Sequence, residues 1–518
     1  MIGTRISLLG FIAFAFVVVA HGQAHYPPSA TAIVKVENGR LQGAEPAPGV
    51  RAYLGIPYAK PPLGPLRWRA PQPFGPWTGI RPAIAHGNPC PQQKFGWNNN
   101  SAEHGNEDCL FLNVWAPAKG SKHPVMVYIH GGSNVAGSAA EDLSNGFALV
   151  PRGIVLVTFD YRLGIFGFLR TPALDAESPH HASGNYGLLD QIAALKWVQK
   201  NIAEFGGDPA NVTVFGQSAG SVDTGLLMAS PLARGLFARA LEESGQIVGL
   251  MPTATTAQSE SAWAPVAHSL GENLAAMRSA STTDILTADK NAPKPPPENF
   301  WGYRGASVDG WVLPALPASI FAEGKEAPVP LLIGSNVQEI VPENQPAEWT
   351  KHLIETSVGR KRAPQLEAIY ARPSANPLEG DMGARFQTDR DFRCPVLQVA
   401  IWHASHGFPT FVYQFDRSIG TDKPAQHSSE LRFVFGYFPT HIETFADDAV
   451  ANILQTYWVA FARTGKPESP GLPQWSRFSL PSGNYLHFLS SAVMPMTDTN
   501  LGGEACTILT GNALPASD

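Results

Sequence analysis

The segment VTVFGQSAGS, residues 212–221, decides the fold because it places a serine on a tight turn between two regular elements. Four strand-favouring residues precede Gly216, and residues 219–230 form a helix-forming run. Ser218 is therefore the centre of a G-x-S-x-G sequence at a strand-to-helix turn. Such a serine is either a turn residue without chemistry or a nucleophile held on a turn too sharp for ordinary residues.

The composition is that of a large globular protein. The chain has 518 residues, of which 44% are hydrophobic and 15% charged, and a net charge of −6. Normal apolar content with a charged fraction below the usual value of about a quarter permits a large buried core. Since the chain has no basic excess and no block of Lys or Arg, we do not expect nucleic acid as a partner.

Residues 1–24 have the features of a secretory signal peptide. Arg5 supplies a positive start, residues 6–20 form an apolar run of 15 residues, and small residues near 20–24 offer cleavage sites. The run is too short to span a bilayer comfortably, and a buried first strand is the alternative. We predict an exported protein, secreted or periplasmic, without a membrane anchor after cleavage and with one domain over residues 25–518.

Compact apolar runs alternate with amphipathic segments along the chain. PVMVYI (124–129) and IVLVTF (154–159) are typical of fully buried strands in a parallel sheet. Between Gly187 and Gly206 apolar residues recur at steps of three or four, which indicates a helix. The pattern predicts an α/β fold with a central, mostly parallel, twisted sheet flanked by helices. Further predicted parts are strands within 28–57 and at 330–334 and 410–415, a helix at 446–467, and helical and loop insertions at 256–300 and 340–392.

A second glycine-rich segment, IHGGSNVAGS (129–138), follows the first of these buried runs. Gly131 and Gly132 can expose backbone N–H groups where side chains would block them, which is how a loop forms an oxyanion hole. A phosphate-binding loop is the rival interpretation. It fits poorly because the segment has neither GxGxxG nor a GK[ST] ending.

Together these motifs resemble the type-B carboxylesterases, a family that includes the cholinesterases and has the α/β-hydrolase fold. The resemblance covers residues 30 to 510 approximately. It implies a secreted serine carboxylesterase that cleaves small-molecule esters through an acyl-enzyme, without metal or cofactor, with the insertions forming an active-site gorge. The segments that carry it are YLGIPYAKPPLGPLRW (53–68), NEDCLFLNVWAP (106–117), YRLGIFGFL (161–169), GNYGLLDQ (184–191), GGDPANVTVFGQSAGS (206–221) and WVAFARTGKP (458–467).

The family implies a catalytic triad of Ser218, Glu339 and His427. The acid lies in GSNVQEI, which departs from the family pattern at Gln338, where an acid is usual, and at Ile340, where glycine is usual. The histidine lies in HSSELRFVFG, which matches the family loop. The order serine, acid, histidine along the chain is also that of α/β-hydrolases.

The resemblance also implies an oxyanion hole made by the N–H groups of Gly132, Ser133 and Ala219, with Gly131 adjoining. The family usually carries an aromatic residue where this chain has Asn134. An amide near the gorge could hydrogen-bond a polar group of the substrate, or it could simply replace packing.

Two more residues are predicted to belong to the substrate pocket. Trp97 lies between Cys90 and Cys109, where cholinesterases carry a gorge tryptophan, although the local sequence differs and choline binding is not favoured. Ser244 matches a second serine close to the family triad.

Four cysteines allow three pairings, and the sequence alone does not choose among them. The resemblance pairs Cys90 with Cys109 and Cys394 with Cys506. It also implies two buried ion pairs that hold loops, Arg67 with Glu107 and Arg162 with Asp389.

Other functions are compatible with this scaffold. Some members of the family have lost the nucleophile and act as binding proteins, and the same fold can cleave amides or long-chain lipid esters. The retention of all three triad residues argues against the binding protein. The natural ester and the oligomeric state are not determined by the sequence.

Overall fold

A computed structural model describes residues 26–249, 251–271, 273–293, 304–340, 346–419, 424–438 and 443–511. The predicted signal peptide lies outside the described residues. Within these ranges, no helix combines the length and the apolar character that crossing a membrane requires.

One β-sheet organises the described chain. Its thirteen strands run in the order β1-β2-β3-β5-β7-β6-β8-β9-β10-β11-β12-β13, and β4 pairs with β2. All pairs from β7 to β12 are parallel, while the strands before β7 pair antiparallel apart from β4, as does the final pair. The strands are β1 Pro28–Val36, β2 Gly39–Ala47, β3 Val50–Pro57, β4 Ile80–Pro82, β5 Phe111–Pro117, β6 His123–Ile129, β7 Val155–Phe159, β8 Gly207–Gln217, β9 Arg239–Glu243, β10 Leu331–Asn336, β11 Thr410–Phe415, β12 Tyr485–Phe488 and β13 Met496–Asp498.

Helices pack against the sheet and form the insertions, so the prediction of a mostly parallel sheet flanked by helices is confirmed. Within the described residues the two predicted insertions contain α6–α8 and α10–α12, whose bounds follow here with the others. The helices are α1 Asn99–Glu103, α2 Gly164–Phe168, α3 Pro172–Glu177, α4 Tyr186–Asn201, α5 Ala219–Ala229, α6 Thr256–Ser269, α7 Leu274–Ser279, α8 Thr282–Asn291, α9 Pro317–Ala322, α10 Ala347–Val358, α11 Ala363–Tyr370, α12 Met382–Thr388, α13 Cys394–Ser405, α14 Ser429–Phe435, α15 Phe445–Thr464 and α16 Gly503–Thr510.

The central strands are buried on both faces, which explains their continuous apolar sequence. Along β6, Val125 and Val127 belong to one core cluster, and Met126 and Tyr128 belong to another. Successive strand residues point to opposite faces, so β6 supplies both layers of the core. The first cluster also contains apolar side chains of α4 and α5, and the second contains those of α14 and α15.

The two longest predicted helices end where glycine permits it. The helix predicted between Gly187 and Gly206 is α4 followed by a tighter turn, Ile202–Phe205, and Gly206 then has φ 82°. The helix predicted at 446–467 is α15, which ends before Gly465 at φ 76°. Glycine adopts this left-handed conformation without the steric cost that other residues incur.

Two disulfides join the four cysteines. Cys90 and Cys109, 19 residues apart, close a short loop that carries α1, while Cys394 and Cys506, 112 residues apart, tie the start of α13 to α16. A cross-link that closes a long loop removes more conformational entropy from the unfolded chain than a short one. The second disulfide therefore restrains the C-terminal end of the fold.

The prediction of two buried ion pairs is confirmed for one pair and wrong for the other. The guanidinium of Arg67 binds Glu107 at 2.6 Å, as expected. Arg162 does not bind Asp389, because its partner is Asp190 on α4, which accepts from Arg162 Nε and Nη2 at 2.7 Å each. Asp389 instead binds Arg393 one helical turn along the chain.

Replacement of Arg162 by Met tests this partner assignment. Removal of the guanidinium leaves the buried Asp190 carboxylate uncompensated, so we expect the free energy of unfolding to fall by about 3–5 kcal/mol. Neutralising the true partner should recover part of that loss. Urea denaturation should therefore show R162M/D190N to be more stable than R162M, while R162M/D389N is not; equal recovery in both double variants would contradict the assignment.

Candidate active site

The site lies at the carboxyl ends of neighbouring parallel strands, where α/β sheets usually bind their ligands. Ser218 directly follows β8, and Glu339 comes three residues after the end of β10. His427 lies in the turn that leads into α14. The sheet thus brings together three residues that are more than 200 positions apart from first to last in the sequence.

Ser218 occupies a strained turn between β8 and α5. Its backbone has φ 57° and ψ −124°, a combination that non-glycine residues rarely adopt and that costs on the order of 1–3 kcal/mol. Gly216 and Gly220 make the turn possible, since a Cβ on Gly216 would collide with the Gly220 carbonyl and one on Gly220 with the Ile129 carbonyl. The turn places Ser218 in the wall of a cavity at the end of the strand.

Glu339 orients the ring of His427. The Nδ1 atom of His427 lies 2.6 Å from Glu339 Oε2, and the other carboxylate oxygen accepts from the backbone N–H of Asn336 at 2.8 Å. A ring that donates from Nδ1 presents Nε2 as its acceptor. Gln217 Nε2 lies 3.4 Å from that Nε2 atom. The histidine ring is therefore held with Nδ1 toward Glu339 and Nε2 toward Gln217.

Ser218 and His427 line one cavity of about 1140 Å³. Gly131, Gly132 and Ser133, three of the predicted oxyanion residues, line the same cavity. Ala219, the fourth, is buried directly behind Ser218 as the first residue of α5. The nucleophile candidate, the base candidate and the glycine-rich loop thus face a common space.

The loop after β6 makes an unusual turn. Gly132, Ser133 and Asn134 have successive φ values of 108°, 56° and 56°. The carbonyl oxygen of Gly132 accepts from the N–H groups of Val135 and Ala136 at 3.0 Å each. Three left-handed residues in a row are held only where surrounding contacts determine the backbone.

Asn134, for which the sequence allowed either a substrate contact or a packing role, does not line the cavity. Its side chain is buried and hydrogen-bonded inside the protein, where Nδ2 donates to Asp223 Oδ1 at 2.9 Å and Oδ1 accepts from the Tyr161 hydroxyl at 2.8 Å. The left-handed backbone turns this side chain toward α5, away from the cavity. The sequence carries no signal for its partner Asp223, because the contact spans 89 positions.

The other two pocket predictions have different outcomes. Trp97 lines the cavity and is 63% exposed, so it lies at the mouth together with Phe95. Ser244 is fully buried and does not contribute to the cavity wall. It lies beneath the nucleophile turn, because a Cβ on its neighbour Gly245 would collide with the carbonyl of Ser218.

Two buried glutamates lie behind the histidine–glutamate pair, and the sequence analysis did not identify them. Asn336 Nδ2 donates to Glu430 Oε2 at 2.5 Å, and Trp458 Nε1 donates to Glu243 Oε1 at 2.8 Å. Burial, assisted by the charge of Glu339, raises the pKa of Glu430 to about 7. Burial, with a contribution from Glu430, raises the pKa of Glu243 well above its ordinary value. Both shifts favour the neutral form of these acids, which carries no negative charge beside the site.

The site can be compared with known proteins. A model of the carboxylesterase family matches residues 30–508. The chain belongs to this family. It is accordingly a carboxylic ester hydrolase of the α/β-hydrolase superfamily.

This carboxylesterase is similar to curated relatives over most of their length. It is 36% identical to fumonisin B1 esterase of Sphingopyxis macrogoltabida over 463 residues, which are 85% of this chain and 84% of that protein. It is also 36% identical to para-nitrobenzyl esterase of Bacillus subtilis (strain 168) over 462 residues, 84% of this chain and 91% of the relative. A solved structure of a PNB esterase superimposes with a TM-score of 0.80 at 32% identity, covering 92% of this chain and 100% of that one.

Substitution of Gly220 by Ala tests the geometry of the nucleophile turn. The added Cβ would meet the Ile129 backbone, which cannot move without disturbing β6, so we expect little soluble protein or no esterase activity in what folds. Gly75→Ala is the matched control, because a Cβ there meets nothing within 4 Å and the backbone is not left-handed. Normal yield and activity for G220A would contradict the described turn.

Proposed function

We propose that this carboxylesterase is a serine hydrolase that uses Ser218 as nucleophile, His427 as general base and acid, and Glu339 as the group that orients the imidazole. The observation that carries the proposal is the 2.6 Å bond between His427 Nδ1 and Glu339 Oε2 in the cavity wall that also presents Ser218 on a strained turn. A serine hydroxyl becomes an effective nucleophile only when such a base takes its proton.

In the acylation step, the Ser218 oxygen forms a bond with the carbonyl carbon of the ester while its proton passes to His427 Nε2. The carbonyl oxygen becomes an oxyanion. When the intermediate collapses, the bond to the alcohol oxygen breaks, and His427 returns the proton to the leaving group. Glu339 stabilises the imidazolium formed between these events, because its buried carboxylate accepts a hydrogen bond from Nδ1–H.

The backbone N–H groups of Gly132, Ser133 and Ala219 are proposed to stabilise the oxyanion. The first two belong to the loop that lines the cavity, and the third begins α5, whose N-terminus carries a partial positive charge. Donors that are fixed before the reaction need no rearrangement as charge develops on the oxygen.

Water then completes the cycle. Its proton passes to His427 Nε2 while its oxygen attacks the acyl carbon, and the collapse of the second intermediate breaks the bond to Ser218, which regains a proton from His427. The overall reaction consumes one ester and one water and releases a carboxylic acid and an alcohol. It needs no redox partner.

The substrate is proposed to be a small-molecule carboxylic ester. The cavity of about 1140 Å³ exceeds the volume of many small-ligand sites, so it can hold both an acyl and an alcohol portion. The relatives are named for substrates as different as a fumonisin and a para-nitrobenzyl ester, which does not single out one substrate for this chain.

We also propose that the protein is exported. Two disulfides are formed among the described residues, and such bonds persist mainly in oxidising compartments. The signal-like segment at residues 1–24 is consistent with this proposal.

Hydrolysis of p-nitrophenyl esters from acetate to palmitate tests the proposed activity. We expect turnover with a burst of nitrophenol equal to the enzyme concentration when deacylation is slow, and complete loss of the burst in Ser218→Ala. The chain-length profile separates an esterase from a lipase. The absence of turnover by folded wild-type protein would favour the binding-protein alternative.

Replacement of Glu339 by Gln tests the orienting carboxylate. The amide can hold the histidine in the wrong tautomer, so kcat should fall on the order of 10³–10⁴-fold with the fold retained. Glu348→Gln, at an exposed position on α10, is the control and should keep wild-type kcat. A small loss in E339Q would mean that another acid orients His427.

A further inference from the structure

The loop after β6 is tied to the helix that begins beneath the nucleophile. Asn134 Nδ2 donates to Asp223 Oδ1 at 2.9 Å, and Asp223 lies on α5, one turn after the residue that follows Ser218. Gln191 on α4 donates to the second oxygen of the same carboxylate at 2.5 Å. The carboxylate of Asp223 is thus held between two amide groups in a fully buried position.

Further hydrogen bonds hold the left-handed backbone of the loop. Ser133 and Asn134 both adopt positive φ values. Asparagine tolerates such values better than most residues, but each non-glycine residue in this conformation still carries a cost in backbone strain. The Tyr161 hydroxyl bonds both the carbonyl of His130 and Oδ1 of Asn134, and Gly164 N–H donates to the Asn134 carbonyl at 2.6 Å. The Asn134 amide joins this turn to α5 through its bond to Asp223.

We propose that the Asn134–Asp223 pair is a positioning device that sets the distance between the two halves of the oxyanion hole. One half is the loop containing Gly132 and Ser133, and the other is the N–H of Ala219 at the start of α5. The inference rests on the proposed function, since it assigns these groups to the oxyanion hole. Asn134 and Asp223 act through the backbone and do not touch the substrate.

Physical reasons favour this role over simple packing. No cation is among the groups that shift the pKa of the Asp223 carboxyl. Burial raises this pKa to about 7, although the hydrogen bonds from the Asn134 and Gln191 amides lower it. A buried acid without a counter-ion is costly, and an apolar residue would be the more stable filling. The two hydrogen bonds from amide groups offset the cost of burying the Asp223 carboxyl only while donor and acceptor stay at hydrogen-bonding distance. The pair therefore restricts the loop to one position relative to α5.

The role of the Asn134–Asp223 bond is tested with one variant that disrupts it and a second that exchanges the two residues. In Asn134→Asp, two carboxyl groups face each other, so the loop must move or one group must take up a proton. In the double variant N134D/D223N the amide lies on α5 and the carboxylate on the loop. The Tyr161 hydroxyl and the Gln191 amide still find acceptors, and the bond between the two positions is restored. Asn134→Gly keeps a backbone that accepts positive φ and deletes both side-chain bonds, the one to Asp223 and the one from the Tyr161 hydroxyl.

Steady-state kinetics are measured on a short p-nitrophenyl ester at pH 8.5, above the raised pKa of Asp223. Because loss of one oxyanion donor costs about 10²–10³-fold in kcat, a displaced loop in N134D should lower kcat by about 30-fold or more with KM changed by less than about threefold. N134G should lose about tenfold in kcat, and N134D/D223N should return to within about threefold of wild type. Asn88→Asp, an exposed change of the same type, should have no effect.

A transition-state analogue separates positioning from general stability. A trifluoromethyl ketone forms a tetrahedral adduct with a catalytic serine, so its inhibition constant should rise in proportion to the loss of kcat/KM across the variants. A structural role would lower the melting temperature or the folded fraction without this proportionality. If N134D does not fold, N134G and the double variant decide.

Three results would overturn the inference. These are kcat in N134G within twofold of wild type, no recovery in N134D/D223N, or an inhibition constant that is unchanged while kcat falls. Failure of the proposed function is distinguishable, because it would appear as activity that survives Ser218→Ala. Serine-dependent activity that is insensitive to Asn134 would remove the positioning role alone.

Discussion

The rest of the site depends on the strained backbone at Ser218. A residue at φ 57° and ψ −124° persists only where β8 and α5 are both fixed and where no side chain fills the turn. Gly216 and Gly220 leave that space free, and β6 packs so close to the turn that a single methyl group would collide with its last carbonyl. The parallel pairing of β6 with β8 therefore determines where Ser218 lies along the sheet edge and where the neighbouring loop begins.

The same close packing determines how buried acidic groups are stabilised, because it keeps them away from water. The described core holds ion pairs such as Arg162 with Asp190, in which the guanidinium compensates the carboxylate, and acids such as Glu243 that have no cationic hydrogen-bond partner. Desolvation raises the pKa of both kinds of acid, but Arg162 opposes the rise at Asp190, whereas the pKa of Glu243 is raised well above its ordinary value. Glu339 accepts hydrogen bonds from His427 Nδ1 and from the backbone N–H of Asn336. Its carboxylate thus accepts from two groups, whereas Glu243 accepts from the Trp458 side chain.

Much of the site was accessible from short local motifs. Ser218 was identified from its own G-x-S-x-G motif, and Glu339 and His427 from segments that resemble the family's; the structure brings Glu339 and His427 into a hydrogen bond. The partner of Arg162 was not predicted correctly, because a family pairing was carried over to Asp389 while α4 offers Asp190 at shorter range. Asn134 was placed in the pocket because the family usually carries an aromatic gorge residue at that position, but the direction of a side chain depends on the local φ.

The sequence by itself determined the elements and their chemistry: strands from continuous apolar runs, α4 from its period, sharp turns from glycine, and the candidate nucleophile from its glycine neighbours. These features depend on interactions between residues close in the chain. Only the tertiary structure decided that Asn134 bonds Asp223, that Glu430 lies behind Glu339, and that Trp97 stands at the cavity mouth. Such contacts join residues far apart in sequence, and they depend on how helices and loops pack over the sheet, which no local pattern encodes.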